Sequence, residues 1–457
     1  MRLRGADLLA RTLAAGGTRA LFALSGNHVM PVFDAALDAR LPIVHVRHEA
    51  AAVHMADAWG RLTGAPGIAL VTGGPGHANA LSALYTALAA DSPLVLISGH
   101  APLAELGRGA FQEMRQADVA APLTKRSWTA ESADTLAADV TRALVEARSG
   151  RPGPVHLSVP SDVLDAMTDA SVPDATAFSI PAHHLDQEKI GAALDALAKA
   201  RRPLVLTGRV HAPELEAITG VPVIAMESPR GVNDPSLGRL AQVLAKADAV
   251  LLAGKRLDFT LKFGRAFAAD CPIFAFETIH GLLERAQEKR WSIGGWRDEV
   301  REALRYRPPE WQSLAQSADA RLHPALLCRA VAPLLDSPDA ILVCDGGEFG
   351  QWAQACLAAP RRIVNGPAGS IGSALPFAAA ARLAAPQARV VALLGDGTFG
   401  FHMSEIDTAV RHDLPYLAVI GNDACWNAEY QIQLRAYGKA RAHGLELLPT
   451  RYGAAAA

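Results

Sequence analysis

Two polar segments follow buried apolar runs in the last quarter of the chain. Gly395-Asp396-Gly397 follows the run VVALL, and Gly421-Asn422-Asp423 follows the run YLAVI. Each segment alone predicts no more than a turn, because Asp and Gly favour turns. The stretch between them, FHMSEIDTAVRHD, has the apolar spacing of one amphipathic helix. A strand, a crossover helix and a second strand would bring both carboxylates to the carboxyl edge of one parallel sheet, where open α/β sheets bind ligands. Such a pair, with glycines that let the backbone approach closely, suits Mg²⁺ carrying phosphate oxygens.

A third carboxylate lies near the start of the chain. Arg47-His48-Glu49 comes directly after the apolar run PIVHV and before a helical stretch that begins AAAV. A glutamate at this position can simply complement the helix dipole. Because its neighbours are apolar, it can instead be partly desolvated and take part in proton transfer. Both interpretations stay open from the residues alone.

The composition excludes several classes of partner. The chain has 457 residues, of which half are apolar and a fifth charged, and its net charge is −2. Nothing in this balance favours nucleic acid, and no apolar run approaches the roughly 18 residues of a membrane span. Asp7 and Arg11 interrupt any signal-peptide core, so the N-terminus predicts an amphipathic helix. The five cysteines have no CxxC pairing, so we expect neither a zinc site nor disulfides, and a cytoplasmic location.

Three blocks of alternating apolar strands and helices must position these residues. The first contains ALFAL, PIVHV, GIALVT and PLVLIS, the second RPLVLTG, VPVIAM, AVLLAG and CPIFAF, and the third AILVC and the Gly-Asp-Gly strand. This alternation predicts an α/β protein of three consecutive parallel-sheet domains. We place the domains at about residues 1–170, 185–305 and 320–457. The third domain looks truncated at its C-terminus.

The ordered motifs resemble the thiamine-diphosphate-dependent decarboxylase and carboligase family. RHEAAAVHMADAWGR, VTGGPGHANALSALYTA, GRPGPVHLSVPSDV, GSIGSALP and GDGTFGF follow one another in the family's order. The family joins GDG to a later NN or ND across some two dozen residues, and here 423 − 396 = 27. The chain is most similar to acetolactate synthases, and also to benzaldehyde lyase and 2-hydroxyacyl-CoA lyase. The three domains would then be a pyrimidine-binding, a middle and a diphosphate-binding domain.

The resemblance implies a thiamine diphosphate site with Mg²⁺. Asp396, Asp423 and the backbone carbonyl of Cys425 would ligate the metal, although the family more often has Asn where this chain has Asp423. Ile371 would wedge between the two cofactor rings and force the cofactor to bend. The residues that the resemblance places at the cofactor are Gly347, Glu348, Phe349, Gly369, Ser370, Ile371, Gly395, Asp396, Gly397, Thr398, Asp423, Cys425 and Trp426.

The resemblance also assigns catalytic and substrate-facing roles. Glu49 matches the carboxylate that hydrogen-bonds a pyrimidine nitrogen and activates the cofactor. His28, in LSGNH, lies where benzaldehyde lyase presents a histidine to its substrate, and Gln112, in GAFQE, matches a residue at the active-site mouth of acetolactate synthases. In this family Glu49 and the Gly-Asp-Gly loop of one site come from different subunits. A homodimer or homotetramer with shared active sites is therefore implied.

The middle block leaves its ligand open. Acetolactate synthases have an insertion and an RFDDR-like segment that help to hold FAD, but this chain has Lys255-Arg256-Leu257-Asp258-Phe259, so FAD is doubtful. Lys255 and Arg256 would either pair with a nucleotide phosphate or form a solvated basic pair. The resemblance thus implies an acetolactate synthase-like enzyme that acts on a small-molecule substrate. The alternatives are a lyase acting on 2-hydroxyacyl or oxalyl thioesters and a non-catalytic cofactor-binding homologue.

Overall fold

A computed structural model describes residues 2–181, 186–208, 212–278, 281–311, 313–315 and 322–456. The chain divides into two compact units. The first comprises Met1–Pro181, Leu334–Gly350 and Ala358–Ala457, and the second comprises Ala182–Pro333 and Gln351–Leu357. Over the described residues the strands form three parallel sheets and one short antiparallel pair, which confirms the predicted α/β class. No helix in the described ranges is long and apolar enough to cross a membrane.

The first sheet of unit 1 has six parallel strands in the order β3-β2-β4-β5-β7-β6. The apolar runs identified in the first block correspond to β2–β5. The strands of this part of the chain are β1 (Leu3–Arg4), β2 (Leu21–Ala23), β3 (Ile43–His45), β4 (Gly67–Val71), β5 (Leu94–His100), β6 (Arg126–Thr129), β7 (Pro154–Pro160) and β8 (Met167–Thr168), and β1 pairs antiparallel with β8. The helices are α1 (Gly5–Ala15), α2 (Met30–Asp38), α3 (Glu49–Thr63), α4 (Pro75–Ala89), α5 (Gln116–Ala120), α6 (Leu136–Arg148) and α7 (Ser161–Asp165).

Unit 2 contains a four-stranded parallel sheet in the order β10-β9-β11-β12. Its strands are the four apolar runs of the second block, and they bury apolar side chains on both faces. They are β9 (Pro203–Thr207), β10 (Val223–Ala225), β11 (Ala249–Ala253) and β12 (Ile273–Phe276). The helices of this part are α8 (Gln187–Lys199), α9 (Pro213–Thr219), α10 (Leu240–Lys246), α11 (Leu282–Gln287), α12 (Trp296–Arg305) and α13 (Pro324–Val331).

The last sheet also has four parallel strands, in the order β14-β13-β15-β16. They are β13 (Ile341–Cys344), β14 (Arg361–Val364), β15 (Val390–Gly395) and β16 (Leu417–Gly421). The helices are α14 (Gly347–Cys356), α15 (Ala374–Ala384), α16 (Asp396–Phe399), α17 (Glu405–Arg411), α18 (Asn427–Tyr437) and α19 (Tyr452–Ala455). The amphipathic helix expected over 401–413 is wrong in its bounds. Asp396 already begins the short helix α16, and residues 400–404 form turns before α17 begins.

Helix α3 positions the first carboxylate. His48 caps the helix through Nδ1, which accepts a hydrogen bond from the backbone N–H of Ala50 at 3.1 Å. The helix ends at Gly64, whose φ of 74° is the left-handed conformation that glycine adopts easily. Its residues from Glu49 to Gly60 are all buried. This burial explains the run of alanines, because small side chains let neighbouring helices approach from several sides.

One apolar core in unit 1 joins the first and last sheets. It contains Met55 of α3, Phe377 of α15 and Phe399 of α16 together with residues of both sheets. A buried ion pair crosses the same core: Arg61 is bonded to Asp57 at 2.6 and 2.7 Å, and it donates to the backbone carbonyl of Val364 at 2.7 Å. The N-termini of α3 and α15 are therefore held within one compact body.

Candidate active site

The two carboxylates at the edge of the last sheet lie beside each other. Gly395 of β15 pairs with Gly421 of β16, so the chain leaves both strands at the same level, before Asp396 and before Asp423. Burial raises the pKa of Asp423, and the negative charges of Asp396 and Glu348 raise it further. Atom Oδ2 of Asp396 is buried without a hydrogen-bond partner. A site with clustered negative charge and an orphaned carboxylate oxygen fits a divalent cation.

The metal ligands predicted at this edge are two carboxylates and one backbone carbonyl. Within the described part of the chain, no group of three or more His, Cys, Asp or Glu side chains could hold a metal ion. The predicted site has two carboxylates and the carbonyl of Cys425, so protein side chains alone do not complete it. Cys425 lies next to Ala424, whose φ is 56°, and pairs across an isolated bridge with Glu446. A diphosphate would have to supply further oxygens, as it does in many Mg²⁺ sites.

Residues predicted to meet the diphosphate surround this edge. A Cβ added to Gly397 would lie 2.7 Å from the Trp426 ring, and one added to Gly421 would lie 2.5 Å from the Phe349 ring. Gly347 has a φ of 76° and would place a Cβ 3.7 Å from Thr398. The hydroxyl of Thr398 donates to the carbonyl of Gly395 at 3.0 Å. The loop from β13 into α14 therefore lies beside the Gly-Asp-Gly loop.

The segment that carries Ile371 is fixed from several sides. The Nδ2 group of Asn365 donates to the carbonyl of Ser370 at 2.8 Å. The hydroxyl of Ser370 lies 2.8 Å from that of Thr86, which belongs to α4 below the first sheet. Gly369 has a φ of 69°, and Gly372 a φ of 90°. Ile371 is half-buried and contacts Gly346.

Glu49 is buried at the first turn of α3, with 9% of its surface exposed. Its Oε2 accepts a hydrogen bond from Nδ2 of Asn79 at 3.0 Å. A Cβ added to Gly76 would lie 3.3 Å from its Oε1, so the start of α4 passes directly beside the carboxylate. Sequence reasoning missed Asn79, although it stands inside the quoted motif GPGHANA. Of the two interpretations of Glu49 that the sequence leaves open, this burial favours the partly desolvated carboxylate.

His28 and Gln112 belong to one neighbourhood around Thr72. The Nδ1 atom of His28 lies 3.2 Å from the hydroxyl of Thr72, and its ring stacks on Phe111 at 6.1 Å. Gln112 follows Phe111 with a φ of 57° and contacts Gly74. Burial lowers the pKa of His28, as does the nearby His100, so the imidazole is neutral at pH 7. Thr72 also contacts Gly76, which touches Glu49, and so the three predicted first-domain residues are linked.

Residues that flank Glu49 contact the last domain within the same chain. The backbone N–H of Arg47 donates to Oε1 of Glu405 at 3.1 Å, and the His48 ring lies 5.8 Å from that of His402. Burial raises the pKa of Glu405, although the hydroxyl of Thr408 and the N–H groups of Arg47 and His48 oppose that shift. These contacts lie within one chain, and the sharing of each site between two subunits stays a prediction.

The basic pair in the middle domain is only half exposed. Lys255 is 7% exposed, and its ammonium group lies 3.0 and 3.1 Å from the two carboxylate oxygens of Asp258. Arg256 is exposed. The interpretation of a solvated basic pair is therefore wrong for Lys255, because the aspartate three residues along neutralises it within the fold.

Comparison with known proteins agrees with this α/β architecture, in which two parallel sheets belong to one compact unit. The thiamine pyrophosphate enzyme N-terminal TPP binding domain matches residues 3–119, and the C-terminal TPP binding domain matches residues 345–457. The chain belongs to the thiamine pyrophosphate (thiamine diphosphate) enzyme family, and the predicted resemblance is confirmed.

Its relatives carry two different names. The chain is 32% identical to a probable acetolactate synthase of Mycobacterium bovis, over 94% of this chain and 85% of that protein. It is 31% identical to 2-hydroxyacyl-CoA lyase 2 of Homo sapiens, over 96% of this chain and 82% of that protein. The Caenorhabditis elegans 2-hydroxyacyl-CoA lyase 2 is also 31% identical, over 98% of this chain and 82% of that protein.

Proposed function

We propose that the protein is a thiamine-diphosphate- and Mg²⁺-dependent enzyme that forms or cleaves a carbon–carbon bond next to a carbonyl. The substrate class is a 2-oxo acid or a 2-hydroxy ketone, as for an acetolactate synthase-like carboligase. The observation that carries the proposal is the buried Glu49, held by Asn79, in a chain that also brings Asp396 and Asp423 together at the edge of the last sheet. A protein that only bound the cofactor would not need a buried carboxylate at that position.

The chain's own residues divide the work between binding and proton transfer. Asp396, Asp423 and the carbonyl of Cys425 would hold the cation, and Gly347 and Thr398 would let the diphosphate approach the backbone. When bound, thiamine diphosphate supplies an acidic thiazolium C–H and an electron sink next to the substrate carbonyl. Glu49 would hold a proton at its carboxyl group, and the apolar residues around α3 and α15 would exclude water. The neutral His28 and Gln112 would orient the substrate.

A substrate screen tests this proposal. Purified protein with thiamine diphosphate and Mg²⁺ is incubated with pyruvate, with benzoin-type ketols and with 2-hydroxyacyl thioesters, and the products are identified by mass spectrometry. We expect turnover of at least one class, dependent on both cofactor and metal. The Glu49→Gln variant is the matched control, because it keeps the shape of the side chain but loses the acid. Equal turnover by this variant would refute the proposed role of the carboxylate.

A second candidate is cleavage of a 2-hydroxyacyl thioester. The similarity to 2-hydroxyacyl-CoA lyase 2 over almost the whole chain favours it. Both candidates use the same cofactor site, so the screen separates them by which donor is consumed. The thioester arm would give cleavage without a second substrate, whereas a carboligase would need an acceptor.

Three further statements stay predictions. We infer a homodimer or homotetramer, a cytoplasmic location from the scattered cysteines, and no requirement for FAD. The middle sheet lacks the insertion that the resemblance associates with flavin, which supports the last of these.

A further inference from the structure

The loop Gly369–Ala374 is anchored by a carboxylate that sequence reasoning did not single out. Asp345 is completely buried and follows β13 directly. Its Oδ1 accepts hydrogen bonds from the backbone N–H of Gly346 at 2.7 Å and of Gly372 at 2.9 Å, and its Oδ2 accepts one from Ala374 at 3.0 Å. One side chain thus ties the end of β13 to the start of α15.

The other side of the same loop is bonded to a histidine. The carbonyl of Gly372 lies 2.7 Å from Nδ1 of His402. Because a carbonyl only accepts, the Nδ1 atom must carry the proton. A Cβ at Gly372 would lie 2.4 Å from that of Phe401, and its φ of 90° excludes most side chains as well. The loop is therefore held from two sides, and its only bulky side chain is Ile371.

We propose that Asp345 and His402 are positioning residues that clamp residue 372 through its N–H and its C=O, and so fix Ile371 against the cofactor. This inference rests on the proposed function, since it takes Ile371 as the residue that bends the cofactor. Neither Asp345 nor His402 need touch substrate. Their effect is on the conformation of the bound cofactor rather than on its affinity, because the diphosphate end is held by other residues.

The clamp has an unusual response to pH. Burial raises the pKa of Asp345 from 3.8 to about 6, against the opposing effect of its three N–H donors. The ionised carboxylate accepts all three bonds, whereas the protonated form donates from one oxygen and weakens the hold on Gly372 or Ala374. His402 is the histidine that contacts the loop, and the rings of His48 and His54 pack against it. Burial lowers the pKa of His402 and of His54.

As the pH rises, the contribution of Asp345 to folding stability and the hold of its carboxylate on the loop then change in opposite directions. Because the folded state holds the Asp345 proton more tightly than the unfolded state, this group's contribution to stability falls as pH rises from about 4 to about 6. The clamp forms over the same interval. A carboxylate without a positioning role would change stability with pH in the same way, but it would leave exchange of the thiazolium proton unchanged.

The experiment compares the full-length protein with Asp345→Asn, His402→Leu and His402→Asn. Asparagine at 402 keeps an N–H donor near the position of Nδ1, and leucine removes it. Asp139→Asn is the control, since Asp139 lies in α6 and accepts a hydrogen bond from Trp128 of β6, away from the loop. Each protein is titrated with thiamine diphosphate and Mg²⁺ by calorimetry, and exchange of the thiazolium C2 proton is followed by NMR between pH 5 and 8.

We expect Asp345→Asn and His402→Leu to bind the cofactor within a few-fold of the parent protein. Proton exchange should fall roughly 10-fold, the effect of one lost buried hydrogen bond, with His402→Asn restoring most of it. Exchange in the parent protein should fall further as the pH drops below about 6, whereas exchange in Asp345→Asn should not show this additional fall.

Two outcomes would overturn the clamp. One is equal exchange in the parent protein and its three loop variants, and the other is a loss of affinity that parallels the loss of exchange. If Asp345→Asn does not fold, the two His402 variants decide the question. Failure of the parent protein to bind the cofactor would overturn the proposed function, a result distinct from these.

Discussion

At the scale of single residues, the buried carboxylates divide by what surrounds them. Glu49 has an amide donor and apolar neighbours, Asp396 has an orphaned oxygen, and Asp345 has three backbone donors. The first environment suits proton transfer, the second a cation, and the third fixed geometry. The same functional group is therefore expected to give three different phenotypes when it is replaced.

Replacing Glu49 by Gln should abolish activation while leaving the cofactor bound. The amide keeps the size of the side chain, so cofactor affinity should stay within a few-fold. Exchange of the thiazolium proton should drop by at least about 100-fold, since a proton-transfer group contributes roughly that much. NMR of the bound cofactor measures the exchange rate, and Glu105→Gln, an exposed residue of the same sheet domain, is the control. An unchanged rate would mean that Glu49 only complements the dipole of α3.

Replacing Asp396 by Ala should remove Mg²⁺-dependent binding of thiamine diphosphate, because an essential oxygen ligand is lost. Asp423→Asn should keep binding, because the amide oxygen still ligates and the crowding of negative charge with Glu348 is relieved. Calorimetric titrations with and without Mg²⁺ compare the two. If Asp396→Ala titrates like the parent protein, that residue belongs only to a turn.

At the scale of secondary-structure elements, the contact of α3 with the last domain depends on a buried ion pair. The Asp57 and Arg61 side chains are 0% and 5% exposed, and Arg61 also bonds the carbonyl of Val364. Removing one partner of such a pair leaves a buried charge without compensation. The ion pair therefore adds a charge-dependent contact to the apolar core that joins the first and last sheets.

Asp57→Ala should lower the free energy of unfolding by about 3–5 kcal/mol, the usual cost of breaking a buried pair. The exposed pair Arg115–Asp118 offers a matched control, and Asp118→Ala should cost at most about 1 kcal/mol. Urea denaturation followed by circular dichroism gives both values. Equal small losses in the two variants would mean that water reaches Arg61 readily.

The strands were predictable because a strand buried on both faces must be an unbroken apolar run. Every such run named for β2–β5 and β9–β12 is a strand. The start of α17 was not predictable, because residues 400–404 are held in turns by contacts with the Gly372 loop. The same limit applies to the site. Glu49 and Asp396 were visible from their places at strand ends, whereas Asn79, Asp345 and His402 act through partners that only the packed domains bring near.

At the scale of the whole molecule, we predict from the middle domain that the protein does not need a flavin. Purified protein should be colourless, and apoprotein should not bind FAD saturably, because the insertion that would cover a flavin is missing. Clefts between α/β elements can still admit a flat ligand by other contacts. Absorbance after purification without added flavin, followed by titration with FAD, measures this. Saturable binding with a flavin spectrum would bring the protein closer to acetolactate synthases.

The oligomer raises the question of which chains supply the two halves of each site. The residues flanking Glu49 contact the last domain of their own chain. The family resemblance implies that each site takes Glu49 from one subunit and the Gly-Asp-Gly loop from another. Mixing two inactive variants, Glu49→Gln and Asp396→Ala, distinguishes these arrangements. If sites are shared between subunits, each mixed dimer of a two-fold symmetric pair contains one doubly altered and one intact site, so random reassembly should restore about a quarter of the parent activity. If each chain builds its own site, every site carries one substitution and no activity returns.

We expect the shared arrangement, so activity should recover after the two proteins are unfolded and refolded together. Each variant refolded alone is the control. Light scattering on the mixture confirms that dimers or tetramers have formed, so inactivity of an assembled mixture would assign the complete site to a single chain.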